Sequence, residues 1–470
     1  MEERIEKQHK RSNFSGTIGF VLAAAGSSVG LGNIWRFPYL AAKDGGGAFL
    51  LIYVILALTF GFTLLTTEIA IGRKTAQSPL TAYGKIHEKF AWIGVLACVV
   101  PVIILPYYCT IGGWVLKYFF DYMTGKGTAM VADGYFTSFI TDQWSPIIWF
   151  LVFMAATMII VYRGVNQGIE KYSKVLMPLL FVLIIAISLF SLTLEHTDAN
   201  GVTRTGLEGF LIYAVPNFSG MSLQRFFVIL TDAMGQLFYS ISVAMGIMIA
   251  YGSYVKKDAN LGRAVNQIEF FDTLVAFLAG MMIVPAVYTF MGTEGMSAGP
   301  GLMFVSLPKV FAAMGGIGSV VGVVFFLMVF FAAVTSSVSI MEAVVSSIMD
   351  KYHVKRKKAT VMVTSYAVVA GLIVCLGYNV LYFEMTLPNG SVGQILDVMD
   401  YLSNSFLMPI ISVATCILIG WVVKPGVVID EVTVGGNKFG RKSMYVVMIR
   451  FIAPILLMIL LLQALGMIRF

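Results

Sequence analysis

Eleven apolar runs, each long enough to cross a bilayer, succeed one another along the 470 residues, with charged residues largely confined to the stretches between them. They fall near residues 15–40, 47–71, 91–120, 146–162, 172–194, 222–253, 264–291, 319–348, 359–378, 394–422 and 443–467. Some 18 apolar residues in a helix suffice to cross about 30 Å of hydrocarbon. With 58% apolar and only 12% charged residues and a mean hydropathy of +0.85, an ordinary soluble domain is excluded. The expectation is an all-α polytopic membrane protein, one domain over residues 1–470.

Two of the runs are interrupted where a spanning helix should be continuous. The first reads Gly26-Ser27-Ser28-Val29-Gly30-Leu31-Gly32-Asn33, the second Ser240-Ile241-Ser242-Val243-Ala244-Met245-Gly246. Lipid offers a backbone no hydrogen bonds, so unwound chain at that depth must be buried in protein or line a watery cavity. Paired breaks in the two halves of a chain point to a transport site near the bilayer midplane. The breaks open spans one and six, which suits an inverted repeat of spans 1–5 (residues 1–194) and 6–10 (222–422), with 443–467 as an additional eleventh span.

Basic residues set the expected topology. Arg4, Lys7, Lys10 and Arg11 precede the first span, and alternate loops carry Arg73 to Lys89, Lys256 to Arg263, Lys351 to Lys358 and Lys424 to Lys442. Most of the formal charge of +7 is this bias, which predicts a cytoplasmic N-terminus and an external C-terminus in a plasma membrane, the inner membrane if the source is bacterial. Short membrane-flanking loops present no nucleic-acid-binding module. Cys98, Cys109, Cys375 and Cys416 all lie within spans and read as core rather than a disulfide framework. The external stretches near 195–221 and 292–318 suit short surface or re-entrant helices.

Polar groups inside spans are costly, about 2.5–3.5 kcal/mol for a charge at a helix centre, and so default to function. Glu68, Gln236, Asp272 and Glu342 lie deep. Arg36 and Asp400 stand nearer the external side, where they would either close a lid by a charge-assisted pair or snorkel separately. The run Ala332-Ala333-Val334-Thr335-Ser336-Ser337 offers small residues for close packing or hydroxyls for a hard cation. Asp272 would be either a hydrogen-bonded structural carboxylate or, with Asn33 and Ser240, a cation ligand. Gly26-Ser27-Ser28-Val29-Gly30 matches a nucleophile elbow literally, but it lacks the preceding strand and a histidine to activate the serine. No enzyme is expected.

The segment from Gly26 to Pro38, followed by Gly45-Gly46-Gly47-Ala48-Phe49, resembles the signature of the neurotransmitter:sodium symporter family, especially its eleven-span bacterial amino-acid members. Tyr107-Tyr108, Gly235 through Ser240, Ser253-Tyr254 and Thr335-Ser336-Ser337 match in register. The resemblance implies a LeuT-like fold with broken first and sixth helices, working by alternating access. It implies one sodium on the carbonyls of Gly26, Val29 and Ala332 and the hydroxyls of Thr335 and Ser336. A second would sit on the Ser28 carbonyl, Asn33, Ser240, Asp272 and the substrate carboxylate.

By the same resemblance, the substrate carboxylate would meet Tyr108 and the backbone of Leu31 and Gly32, and its amine would meet carbonyls near Ser27, Tyr239 and Ser242. Ile104, Tyr239, Met245, Ser336 and Ile340 would shape the side-chain pocket. Arg36, Gln236 and Asp400 match the family's external gate, and Arg11, Ser253, Tyr254 and Asp350 its cytoplasmic gate. Asp272 departs from the Asn common in the family. A fixed carboxylate there supplies the charge that chloride brings to animal members beside Tyr53, Gln236, Ser240 and Ala276, so two sodium ions and no chloride are expected. The expected substrate is a neutral apolar or aromatic L-amino acid, since no candidate pocket residue is charged. Its identity and the oligomeric state are not written in the sequence.

Overall fold

The structure is a computed structural model that describes residues 13–468 except 199, 219, 297 and 298. Among the described residues it is almost wholly helical. The spans are α1 (Thr17–Ser28) and α2 (Gly32–Lys43), then α3 (Gly47–Thr75), α4 (Glu88–Met123), α5 (Ser145–Tyr162) and α6 (Val165–Leu192). The second half follows with α7 (Leu223–Ser240), α8 (Ile247–Gly252), α9 (Leu261–Met291), α10 (Gly316–Tyr352), α11 (Arg356–Leu376), α12 (Ile395–Val422) and α13 (Lys442–Ala464). Nine of these are long and apolar enough to cross a membrane unaided, and α1 with α2 makes a tenth, bent by 53°. The remaining predicted span is divided into pieces of 18 and 6 residues.

The first interruption is shorter than the sequence suggests. Gly26, Ser27 and Ser28 stay helical, and the chain leaves the helix only at Val29 (ψ 93°) before resuming as a π turn over Gly32–Arg36. The second is longer and more contorted, with Ser242, Ala244 and Gly246 at φ of 54°, 62° and 69°. Left-handed backbone costs a residue with a Cβ about 1–2 kcal/mol, so Ser242 and Ala244 must be held. Glu68 of α3 does part of this by accepting the Ala244 amide at 2.6 Å.

α1 packs against α6, α9 and α10, and α10 also packs against α4, α5 and α11. Nine of the twelve residues of α1 are buried, as expected of a helix apolar all round and enclosed by others. α13 packs mainly on α12 and leaves most of its surface outward. Two short helices, Gly206–Ala214 and Leu302–Ala313, occupy the long inter-span stretches. The first follows a two-stranded hairpin, β1 (Glu195–Thr197) and β2 (Thr203–Thr205), and carries a capping box from Thr205 and Glu208.

Candidate functional site

The two interruptions face one another across a cavity of about 30 Å³. Ser27, Ser28, Gly30, Leu31, Gly32 and Asn33 line it from the first, and Tyr239, Ser240, Ser242 and Met245 from the second. Ile104 and Tyr108 of α4 and Ser336 and Ile340 of α10 complete it. The ten positions matched to substrate thus line one cavity together with Ser28, Ser240 and Asn33 of the second sodium set and with Gly30. Two glycines suit this closeness. A Cβ on Gly32 would lie 2.9 Å from the Tyr239 ring, and one on Gly30 would lie 3.0 Å from Ser336 Oγ and 3.1 Å from Tyr108 Oη. The Tyr108 hydroxyl is buried without a hydrogen-bond partner.

Oxygens converge at two places beside the cavity. Ser336 Oγ lies 3.3, 3.1 and 3.3 Å from the carbonyls of Gly26, Ser27 and Val29, and Thr335 Oγ1 lies 3.0 Å from the Ala332 carbonyl. All are neutral donors, the set that suits a weakly held hard cation. At the second place Asp272 Oδ1 accepts from Ser240 Oγ at 2.7 Å and from Asn33 Nδ2 at 2.9 Å. Asn33 Oδ1 lies 3.1 Å from Ser240 Oγ and accepts the Gly30 amide at 3.3 Å.

Asp272 is 1% exposed, yet its Oδ2 has no hydrogen-bond partner. Nor has the hydroxyl of Tyr53, which interacts with Ser240 and Asp272. A buried carboxylate oxygen left so is costly, and a cation beside it satisfies it, so the residues fit sodium. Ser28 turns its hydroxyl back to the Ala24 carbonyl at 3.3 Å and would offer only its own carbonyl. Gln236 donates to the Gly32 carbonyl at 3.0 Å, and its Oε1 is unpartnered; Ala276 is fully buried.

On one side of the cavity, a vestibule of about 680 Å³ is lined by Arg36, Tyr107, Asp232, Tyr239, Asp397 and Asp400, among others. Arg36 and Asp400 share it without an ion pair. Asp400 instead accepts from Tyr107 Oη at 3.1 Å and Asn404 Nδ2 at 2.6 Å. At the opposite end, Tyr254 Oη donates to Glu342 Oε1 at 2.6 Å, and Arg356 holds both oxygens of Glu342 at 2.5 and 2.8 Å.

The other residues matched to that gate make further contacts of their own. Ser253 caps back onto the Ala250 carbonyl, and Asp350 accepts the Ser78 amide at 2.6 Å. Arg11 lies outside the described residues. Phe14 donates its amide to the Tyr254 carbonyl at 3.1 Å and packs its ring against Phe20, Tyr251 and Tyr254. Arg356 and Phe14 are absent from the sequence-based assignment. A lone Glu342 in an apolar span demands a cation, which was a signal for the former.

Oxygen-rich gaps in two broken helices, enclosed within a bundle of spans and flanked by a vestibule on one side and a charge cluster on the other, define a secondary transporter of the LeuT fold. The family model described as Sodium:neurotransmitter symporter family matches residues 11–132 and 136–469. The chain belongs to that family.

It is 34% identical to the uncharacterized sodium-dependent transporter YhdH of Bacillus subtilis, over 98% of this chain and 100% of that one. An uncharacterized sodium-dependent transporter of Methanocaldococcus jannaschii is 33% identical over 88% and 82%. The human sodium- and chloride-dependent GABA transporter 2 is 27% identical over 77% and 66%. Among solved structures, MhsT in complex with L-phenylalanine superposes with a TM-score of 0.83 at 34% identity, covering 97% of this chain and 100% of that one. The protein is a multi-pass, sodium-coupled membrane transporter and not an enzyme.

Proposed function

We propose that the protein carries a neutral, apolar or aromatic L-amino acid inward with two sodium ions, by alternating access and without chloride. The observation that carries this reading is the pair of oxygen clusters flanking one cavity whose walls hold no charged side chain. The first cluster would hold one sodium on Gly26, Val29, Ala332, Thr335 and Ser336. The second would share its sodium between Ser28, Asn33, Ser240, Asp272 and the substrate carboxylate, which links ion and substrate binding. The backbone of Leu31 and Gly32 and the Tyr108 hydroxyl would receive the same carboxylate at a helix N-terminus. Ile104, Met245 and Ile340 supply apolar, adaptable walls, and the L-phenylalanine held by MhsT suits a pocket of this kind.

The vestibule side would be external and the Glu342 side cytoplasmic, with the N-terminus inside and the C-terminus outside. Residues 1–194 and 222–422 would form the two repeats. Two sodium ions driven by about 100 mV and a tenfold gradient supply roughly 7 kcal/mol, ample for concentrative uptake. The test is a labelled amino-acid panel in proteoliposomes under set voltage, with sodium or potassium outside. Saturable accumulation of apolar or aromatic amino acids in sodium alone is expected; uptake indifferent to sodium, or confined to charged amino acids, refutes the reading.

A further inference from the structure

One turn before Asp272 on α9 stands a second buried carboxylate, Glu269, 4% exposed. Residues three apart lie on one helical face, and the two carboxylates are near enough to repel. Glu269 is met by Arg441, from the segment that joins α12 to α13. Arg441 Nη1 lies 3.2 and 3.4 Å from its two oxygens and donates at 3.0 Å to the Leu58 carbonyl. The guanidinium also lies 4.2 Å from the centre of the Phe62 ring. Leu58 belongs to a π turn in α3 over Ala57–Gly61, where the regular ladder is disturbed. Arg441 therefore bridges α3 and α9, the helices that bring Tyr53 and Asp272 to the second oxygen cluster.

We infer that Glu269 and Arg441 are positioning residues for the sodium site at Asp272. The pair holds the charge beside that site at one net negative, matched to one monovalent cation. This rests on the sodium assignment above but concerns residues outside the ligand set. Removing the Glu269 charge leaves the Arg441 cation facing the site, and sodium is weakened. Removing both charges restores the balance. Removing Arg441 alone adds no positive charge, so sodium is not weakened.

The test is equilibrium binding of radioactive sodium to the purified full-length protein without amino acid, over a concentration series. Glu269→Gln is expected to raise half-saturation at least fivefold, Glu269→Gln/Arg441→Gln to return within twofold of the parent, and Arg441→Gln to stay at or below it. An unchanged Glu269→Gln, a double variant as impaired as the single, or an Arg441→Gln that raises half-saturation overturns the inference. Should Glu269→Gln fail to fold, Arg441→Gln against the double variant decides by the same rule. A parent that binds no sodium defeats this inference together with the sodium assignment. A parent that binds sodium in the expected pattern but no amino acid defeats only the substrate reading.

Discussion

Ser240 donates to Asp272 at 2.7 Å across 32 positions of chain, and by doing so satisfies only one of the two oxygens of a carboxylate buried in the protein. The bond joins the last helical residue of α7 to the middle of α9. It leaves Oδ2 without a hydrogen-bond partner, in a carboxylate that the Tyr53 hydroxyl also approaches.

Replacing that carboxylate with its amide tests the assignment directly. Asp272→Asn is expected to raise the sodium half-saturation of uptake roughly ten- to a hundredfold, since bonds to a buried charge are worth about 1.5–3 kcal/mol. Uptake by the parent protein should be equal in chloride and gluconate; a rise in chloride would contradict the reading of Asp272 as a built-in anion.

Ser336 stands within hydrogen-bond distance of three carbonyls of α1 and the first break. Ser336→Ala should raise sodium half-saturation several-fold and lower the Hill coefficient of sodium activation toward one, because one of two linked ions is then weakly held. A variant that changes only maximal velocity would assign Ser336 to packing.

A methyl group on Gly30 would lie 3.0 Å from Ser336 Oγ and 3.1 Å from Tyr108 Oη, closer than ordinary contact, so one of these hydroxyls must give way. Gly30→Ala is expected to weaken amino-acid binding at least roughly tenfold, since overpacking costs about 1–3 kcal/mol. Thermal unfolding of the variant should stay near that of the parent. Labelled amino-acid binding in detergent, read beside the melting curve, separates the two effects.

A pH dependence follows from Asp44, which lies between α2 and α3, outside the spans. Burial and the neighbouring Asp232 carboxylate push it up from 3.8 to about 7, against the pull of Lys43 and Arg225. A carboxyl raised on folding takes up protons in the folded state, so its contribution to stability falls as pH rises from about 4 to about 7 and is then constant. The melting temperature of Asp44→Asn minus that of the parent should therefore grow with pH up to about 7 and level off above it. A difference independent of pH would show that the carboxyl is not raised.

The spans were legible because lipid imposes a rule on every residue of a crossing helix, and the break at Val29 was legible from the small residues around it, although the helix runs on through Gly26 to Ser28. What the sequence hid are relations between distant side chains. Arg73 reads as one more basic residue at a helix end, yet it is 2% exposed and donates to Glu431 at 2.8 Å. Arg356 reads as part of a basic loop, yet it clasps Glu342. Arg36 and Asp400 share the vestibule without a direct ion pair, Asp400 being held by Tyr107 and Asn404. Charge type and spacing do not say which partner reaches a buried carboxylate first, because that depends on how the helices pack.

The ring of Tyr239 belongs to two compartments at once, lining both the inner cavity and the outer vestibule. On that face Tyr239 is the residue common to both linings. On the other face Tyr254, Glu342 and Arg356 form a bonded cluster beside the aromatic packing around Phe14. The two faces of the cavity are thus closed unequally, one by an aromatic ring against an open vestibule and the other by an ion-paired cluster.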